Sequence, residues 1–323
     1  MATSGSINFT QSASELMKDS LLLLGIISED EVVHAATQNV AARFLNKMCK
    51  GTQTQRGVHL WRLERGVCLL NADTVAYTFH GKAGTGGTTA AGILESGLVQ
   101  TTISADEAAS QTVISVTSST GMAASDKISI ELTSGARHDT TIVSVDSATQ
   151  ITITSGLATA AASGKYVYTY TPTTDEIKYP EELYNVRLRY STGLEVPLQR
   201  FSRQEYMALA DKVQEGVPYA YYFDRQLSNP VLRVYPEPTD LQSNIRFDYV
   251  KTIEDIDAVT DNIYFPDHWL EALTYGLAIR LAPAFGREEK LPGLVPFANA
   301  FIDAAKENDT EEALISFAPD LRR

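Results

Sequence analysis

Residues 264–283 read Tyr264-Phe265-Pro266-Asp267-His268-Trp269-Leu270-Glu271-Ala272-Leu273-Thr274-Tyr275-Gly276-Leu277-Ala278-Ile279-Arg280-Leu281-Ala282-Pro283. Leu270, Leu273, Leu277 and Leu281 recur at helical spacing and fall on one face. Pro266 suits a first helical turn, where its missing N–H costs nothing, and Asp267 and Glu271 favour the positive helix start. Pro283 stops the pattern. Ala272, Gly276, Ala278 and Ala282 keep the rest of the surface small, so neighbouring helices can approach closely. The stretch predicts a central packing helix, with Trp269 at its start and Leu270, Leu273, Leu277 and Leu281 as its core face.

Working outward, both chain ends carry further helical patterns. Ser12-x-x-Glu15 is a capping box before Leu16, Met17 and the cluster Leu21–Leu24, and Gly25 is a helix stop. Ser28-x-x-Glu31 predicts the start of a second helix, with Val33, Thr37, Val40, Phe44 and Met48 on one face and Gly51 at its end. The two form an αα-hairpin. On the C-terminal side, a helix from about Pro292 carries Phe297 and Phe301, a short acidic helix starts near Thr310, and residues 316–323 read as a tail.

Between the ends the pattern changes to β. Val75, Tyr77 and Phe79 alternate as a strand. After His80 the composition turns abruptly to Gly, Ala, Ser and Thr, and residues 81–171 contain neither tryptophan nor phenylalanine. Within them, Val113–Val116, Lys127–Leu132, Thr141–Val145, Gln150–Thr154 and Lys165–Tyr170 alternate between turn residues, as in a small barrel or sandwich. Low complexity alone also fits disorder, but Ile128-Ile130-Leu132 and Ile151-Ile153 imply a buried face. Gly81–Gly87 reads as a flexible junction. Val186-Leu188-Tyr190 and Leu194-Val196-Leu198 then form a hairpin around Ser191-Thr192-Gly193. Ser202-x-x-Glu205 opens a third helix ending near Gly216, and strands follow at Val231–Tyr235 and Ile245–Tyr249. The fold class is α+β: a helical-bundle body built by both chain ends with β-strands, plus an inserted all-β domain. The expected segments are 1–90, 91–171 and 172–323.

Charge and composition narrow the function. Among 323 residues, Lys plus Arg number 27 and Asp plus Glu 40, so the net charge is −13. Such a chain is a poor sequence-independent binder of nucleic acid, because phosphate affinity comes from neutralising charge. Cys49 and Cys68 have no metal-site spacing and are expected as buried, reduced thiols, although their separation also permits a disulfide. The longest apolar run, Leu21–Ile27, is too short to span a bilayer, and no basic segment precedes a signal-like core, so the chain is expected to be made in the cytoplasm.

No catalytic, cofactor or metal constellation emerges. His34, His59, His80, His138 and His268 lack ligand spacing, and His268 beside Trp269 reads as a helix-start histidine. Glu181-Glu182 has the residue types of a glycosidase pair, but adjacent carboxylates on a turn are usually solvated. Gly84-Thr85-Gly86-Gly87 lacks the Lys-Ser/Thr of a phosphate loop. Tyr219, Tyr221, Tyr222 and Phe223 suit strand or interface packing better than stacking on sugars or bases.

One resemblance draws the two ends together. Leu23-Leu24-Gly25-Ile26, Phe44-Leu45-Asn46-Lys47-Met48 and Trp61-Arg62-Leu63 lead to Tyr77-Thr78-Phe79. Gly216-Val217-Pro218, Val234-Tyr235-Pro236-Glu237-Pro238, Phe265–Leu273 and Leu281-Ala282-Pro283-Ala284-Phe285-Gly286 complete the set. Over about 12–80 and 175–315 the chain resembles the head-to-tail adaptor (connector) proteins of tailed phages, of the tail tubular protein A type. Residues 81–171 depart from the minimal helical adaptor of that type.

The resemblance implies a structural virion protein of the neck: a ring, commonly of twelve copies, beneath the portal protein. Such a ring continues the DNA channel to the tail nozzle protein, and DNA passes without specific binding. It implies no enzyme activity and no membrane contact. It also implies portal docking by the C-terminal segment, here Phe301, Phe317, Leu321, Arg322 and Arg323, though a frayed terminus is equally compatible with that sequence. Two other readings stay open: a tail-associated module whose β insert recognises a host-surface glycan or another tail protein, and a cell-wall hydrolase using Glu181 or Glu182.

Overall fold

The computed structural model describes residues 9–54, 60–81, 93–94, 98–172, 177–190, 192–239 and 243–309. In chain order its elements begin with helices α1 (Ala13–Leu23) and α2 (Ala35–Gln53) and strands β1 (Leu63–Leu69), β2 (Ala76–Thr78) and β3 (Ile93–Leu94). Next come β4 (Val99–Thr102), β5 (Val113–Ser115), β6 (Lys127–Glu131), β7 (Arg137–Ser147), β8 (Gln150–Ile153) and β9 (Tyr166–Tyr170). Strands β10 (Pro180–Arg189), β11 (Glu195–Pro197) and β12 (Gln199–Arg200) lead to helix α3 (Arg203–Ala208). The chain finishes with β13 (Ala220–Asp224), β14 (Val231–Tyr235), β15 (Asn244–Lys251), α4 (Leu270–Leu281) and α5 (Leu291–Asn308). The class is α+β. Two compact units divide the chain: Met1–Arg62 with Thr252–Arg323, and Leu63–Lys251.

The first unit is organised by α4. Seven of its positions are buried, Leu270, Ala272, Leu273, Gly276, Leu277, Ala278 and Leu281, which is more than one stripe. A helix apolar on most sides is one that is surrounded, and α1, α2 and α5 all pack against α4. Together they share a core with Leu16, Leu21, Leu45 and Met48. Small residues permit the approach: a Cβ on Gly276 would stand 3.2 Å from the Met48 sulfur.

Local rules set the ends of these helices. At α1, Ser12 Oγ accepts from the Glu15 N–H (3.4 Å) while the Ser12 N–H donates to Glu15 Oε2 (2.8 Å). Buried Ser20 donates to the carbonyl of Leu16, and its Oγ also lies 2.9 Å from the Thr274 carbonyl on α4. Asn46 of α2 exchanges two 2.9 Å hydrogen bonds with the backbone of Ile256.

Several expectations are corrected. The second helix starts at Ala35, capped by His34, not at Ser28. Ser28 and Glu31 do bond as a cap, with the Ser28 N–H donating to Glu31 Oε2 (3.2 Å). The turn does not propagate: β-branched Val32 follows at 89 % exposure, so no packing sustains it. The buried face of α2 is Ala41, Leu45, Met48, Cys49 and Thr52, one step round from the expected face, and the helix runs past Gly51. Pro266 stands just outside a 3₁₀ turn, Asp267–Trp269, that leads into α4. Helix α3 stops at Ala208, well short of Gly216, because Leu209 is extended and the Lys212 ammonium takes the freed carbonyls of Met207 and Leu209. The expected helix at Thr310 lies outside the described residues.

The second unit is β. A five-stranded sheet, in the order β11-β10-β15-β1-β3, faces a four-stranded one, β12-β13-β14-β2. Their inner faces share one core containing Cys68, Leu188, Ile245 and Phe247 from the first sheet and Tyr77, Tyr221, Phe223 and Leu232 from the second. Phe79 meets Phe223 and Phe247 edge-on at 5.8 and 6.1 Å.

A six-stranded antiparallel sheet, β4-β9-β6-β7-β8-β5, has its own core of Ile114, Ile128, Ile130, Ile142, Ile151 and Val167 among others. Backbone bonds from Ser104 N to Ser115 O and from Thr117 N to Thr102 O, both 2.9 Å, join its first and last strands.

Candidate functional site

The predicted packing residues all lie inside the first unit. Trp269 and Leu273 are each 2 % exposed, Leu270 8 %, and Leu277 and Leu281 fully buried. Trp269 lies 6.0 Å from Phe265, whose ring in turn meets Trp61 at 5.1 Å. Phe301, expected at a docking surface, is half-buried against Tyr275 at 5.1 Å. Phe317, Leu321, Arg322 and Arg323 lie outside the described residues.

The surface of this unit carries the feature that sequence reading missed. A groove of about 560 Å³ runs between α1 and α4, lined by Phe9, Leu22, Leu23, Leu270, Thr274 and Tyr275, with Asp19 and Glu271 also on its walls. Phe9 is 72 % exposed. Tyr275 continues the apolar surface onto α5, where Phe297 touches its ring at 6.2 Å and remains 58 % exposed beside Val295. Phe297 and Phe301 are four residues apart on one helix, a legible signal. Phe9 comes from the opposite end of the chain and gave none. Exposed aromatics around an apolar groove are the chemistry of a protein-binding surface.

The side chains weighed for catalysis are engaged elsewhere. The carboxylate of Glu182 pairs with Arg200 at 3.0 Å and accepts from the Tyr184 hydroxyl at 3.1 Å. His34 caps α2, and an imidazole nitrogen of His138 lies 3.0 Å from the Ser155 carbonyl. His268 sits 3.7 Å from Asp267 with its ring 6.5 Å from Trp269. Tyr221 and Phe223 face the sandwich core, Tyr222 stacks on Tyr206 at 5.3 Å, and Tyr219 is half exposed between Phe201 and Tyr235. Among the described residues no group of three or more His, Cys, Asp or Glu is placed to hold a metal ion. Gly84–Gly87 lie outside the described residues. Cys49 and Cys68 are free and buried, as expected.

The model of the SU10 adaptor protein family matches residues 132–319. The chain belongs to that family. This SU10-type adaptor is therefore a phage adaptor, a structural component of the virion whose partners are phage structural proteins such as portal or tail proteins. The match covers α4, α5 and the whole groove wall that α4 supplies. It begins directly after β6, so β7, β8 and β9 of the six-stranded sheet lie within the family pattern. No curated protein matches the chain. No helix among the described residues is long and apolar enough to cross a membrane.

Proposed function

We propose that this adaptor forms a ring, of about twelve copies by resemblance to tail tubular protein A, that joins the portal to the tail nozzle in the virion neck. The observation that carries this reading is the groove of the first unit. It is built by α1 and α4 from the two ends of the chain and lined by exposed Phe9, and its lining residue Tyr275 also meets the exposed Phe297 of α5. On this reading the four helices are the bundle body of the adaptor, and residues 91–171 are a β domain inserted between its halves. The segment after Asp309 reaches into the portal, with Phe317, Leu321, Arg322 and Arg323 docking and Phe301 holding its base against Tyr275. A net charge of −13 suits a channel wall along which DNA slides without specific binding. The role is structural and involves no catalysis; engagement of Glu182 by Arg200 supports this.

The test is genetic and visual. Particles assembled without this protein are examined by electron microscopy. DNA-packed heads lacking tails support the reading, and normally tailed particles overturn it.

A further inference from the structure

The walls of the α1–α4 groove combine apolar and acidic groups. Phe9, Leu22, Leu270 and Tyr275 supply the apolar part, and Asp19 and Glu271 the carboxylates. Asp19 accepts from the Gln11 amide at 2.6 Å, and among the described residues neither carboxylate has a lysine or arginine partner. An occupant suited to these walls carries large apolar side chains with cations at one end.

Helix α5 brings such a segment to the groove. The turns after Leu281 return the chain along α4, where Phe297 and Phe301 lie against Tyr275. Helix α5 also packs on the 3₁₀ turn Asp267–Trp269, which runs directly into Leu270 and Glu271 of the groove wall. The chain therefore leaves α5, at Asn308, near the groove end that Leu270 and Glu271 form. Fourteen residues follow Asp309. Extended, they reach roughly 45 Å, whereas Leu270 to Tyr275 is roughly 8 Å of helix. Length is no obstacle.

Two stretches outside the described residues border the groove, and their side chains differ. Residues 1–8, which lead into Phe9, contain no lysine or arginine and only Met1 and Ile7 as large apolar groups. Residues 310–323 contain Leu314, Ile315, Phe317 and Leu321, followed by Arg322 and Arg323. Their acidic pair, Glu311 and Glu312, ends ten residues before Arg322, so the two signs are separated along the segment, with Asp320 alone close to the arginines. Ion pairs at so exposed a site contribute little. Burial of the apolar side chains supplies the affinity, and the charges set its direction.

We propose that in the free chain residues 310–323 occupy this groove, with Phe317 and Leu321 against Phe9, Leu270 and Tyr275, and Arg322 and Arg323 toward Asp19 and Glu271. The groove is then covered until the segment is withdrawn. Its withdrawal into the portal would free the groove for a second phage protein, a consequence that rests on the portal reading above.

Disulfide trapping in the full chain tests the proposal. Thr274→Cys puts a thiol on the groove wall and Ser316→Cys one beside Phe317, while the native Cys49 and Cys68 are buried. At micromolar concentration under a mild oxidant, this pair closes a disulfide within one chain about tenfold faster than a control pair. The control joins Ser316→Cys with Leu227→Cys, Leu227 being 85 % exposed in the other unit. Adding Phe317→Ser and Leu321→Ser slows closure to the control rate, and Arg322→Glu with Arg323→Glu slows it less. Thr274→Cys could disturb α4, so Gln11→Cys with Ser316→Cys repeats the test from a groove residue outside the helices. Closure at the control rate in both pairs overturns the proposal, as does unchanged closure after Phe317→Ser and Leu321→Ser. Disulfides that link two chains and never form within one overturn it in favour of a second copy. Fast closure of Ser6→Cys with Thr274→Cys, and not of the Ser316→Cys pairs, overturns it in favour of residues 1–8. Portal binding is measured separately, so failure here leaves the adaptor role standing.

Discussion

Gly66 of β1 and Phe247 of β15 lie directly opposite one another, and the Phe247 ring occupies the space a side chain at 66 would need: a Cβ there would be 2.4 Å from Cε2. Ile177 closes the other side, 2.7 Å from the same point. The ring is fixed between Phe79 and Tyr249 and cannot swing away. Gly66→Ala should therefore destabilise the β unit by about 1–3 kcal/mol, the cost of overpacking a dense core. Denaturant unfolding measures it as a lower midpoint with an unchanged slope.

The helical unit separates stability from binding. Leu277→Ala leaves a cavity at a fully buried site and should cost about 2–5 kcal/mol. Phe297→Ser, on the exposed side of α5, should change stability by no more than about 0.5 kcal/mol yet weaken portal or tail-protein binding. Thermal melting and a binding titration on the same two variants make the comparison.

Acid should weaken the first helix through its cap. The Glu15 carboxyl is held below its ordinary 4.5 by hydrogen bonds from the Ser12 backbone N–H and then from its hydroxyl. A lowered folded-state pKa means that its contribution is present above pH 4.5 and is lost as pH falls through the folded value. Wild-type stability should fall more steeply in acid than that of Glu15→Gln, as read by melting across a pH series.

Alkali should act through the thiols. Burial raises Cys49 from 9.0 to about 12 and drives Cys68 up as well, so both stay protonated in the folded chain. Raised folded-state values make their contribution present below pH 9.0 and lost as pH rises toward about 12. Neither thiol should react with a disulfide reagent at pH 8 until denaturant is added, a difference read directly by absorbance.

These residues also mark what could be read from sequence. Helix α4 was legible because Leu270, Leu273, Leu277 and Leu281 keep a helical period, and β6 and β8 because Ile128, Ile130, Ile151 and Ile153 alternate between turn residues. Strand β1 was not: Gly66 on its inner face carries no side chain because the Phe247 ring fills the space across from it, so part of its apolar face lies in another strand. Ser28–Glu31 gave a sound local signal that packing did not support. The groove was invisible for one reason: Phe9 and Tyr275 come to line it only through tertiary packing that no local window contains.

The most direct measurement of the adaptor role is co-sedimentation of the full chain with purified portal rings from the same source, with stoichiometry read by analytical ultracentrifugation. A saturating complex near one copy per portal subunit, weakened by removing the residues after Asp309, is the expected result. Absence of binding at micromolar concentration would contradict it.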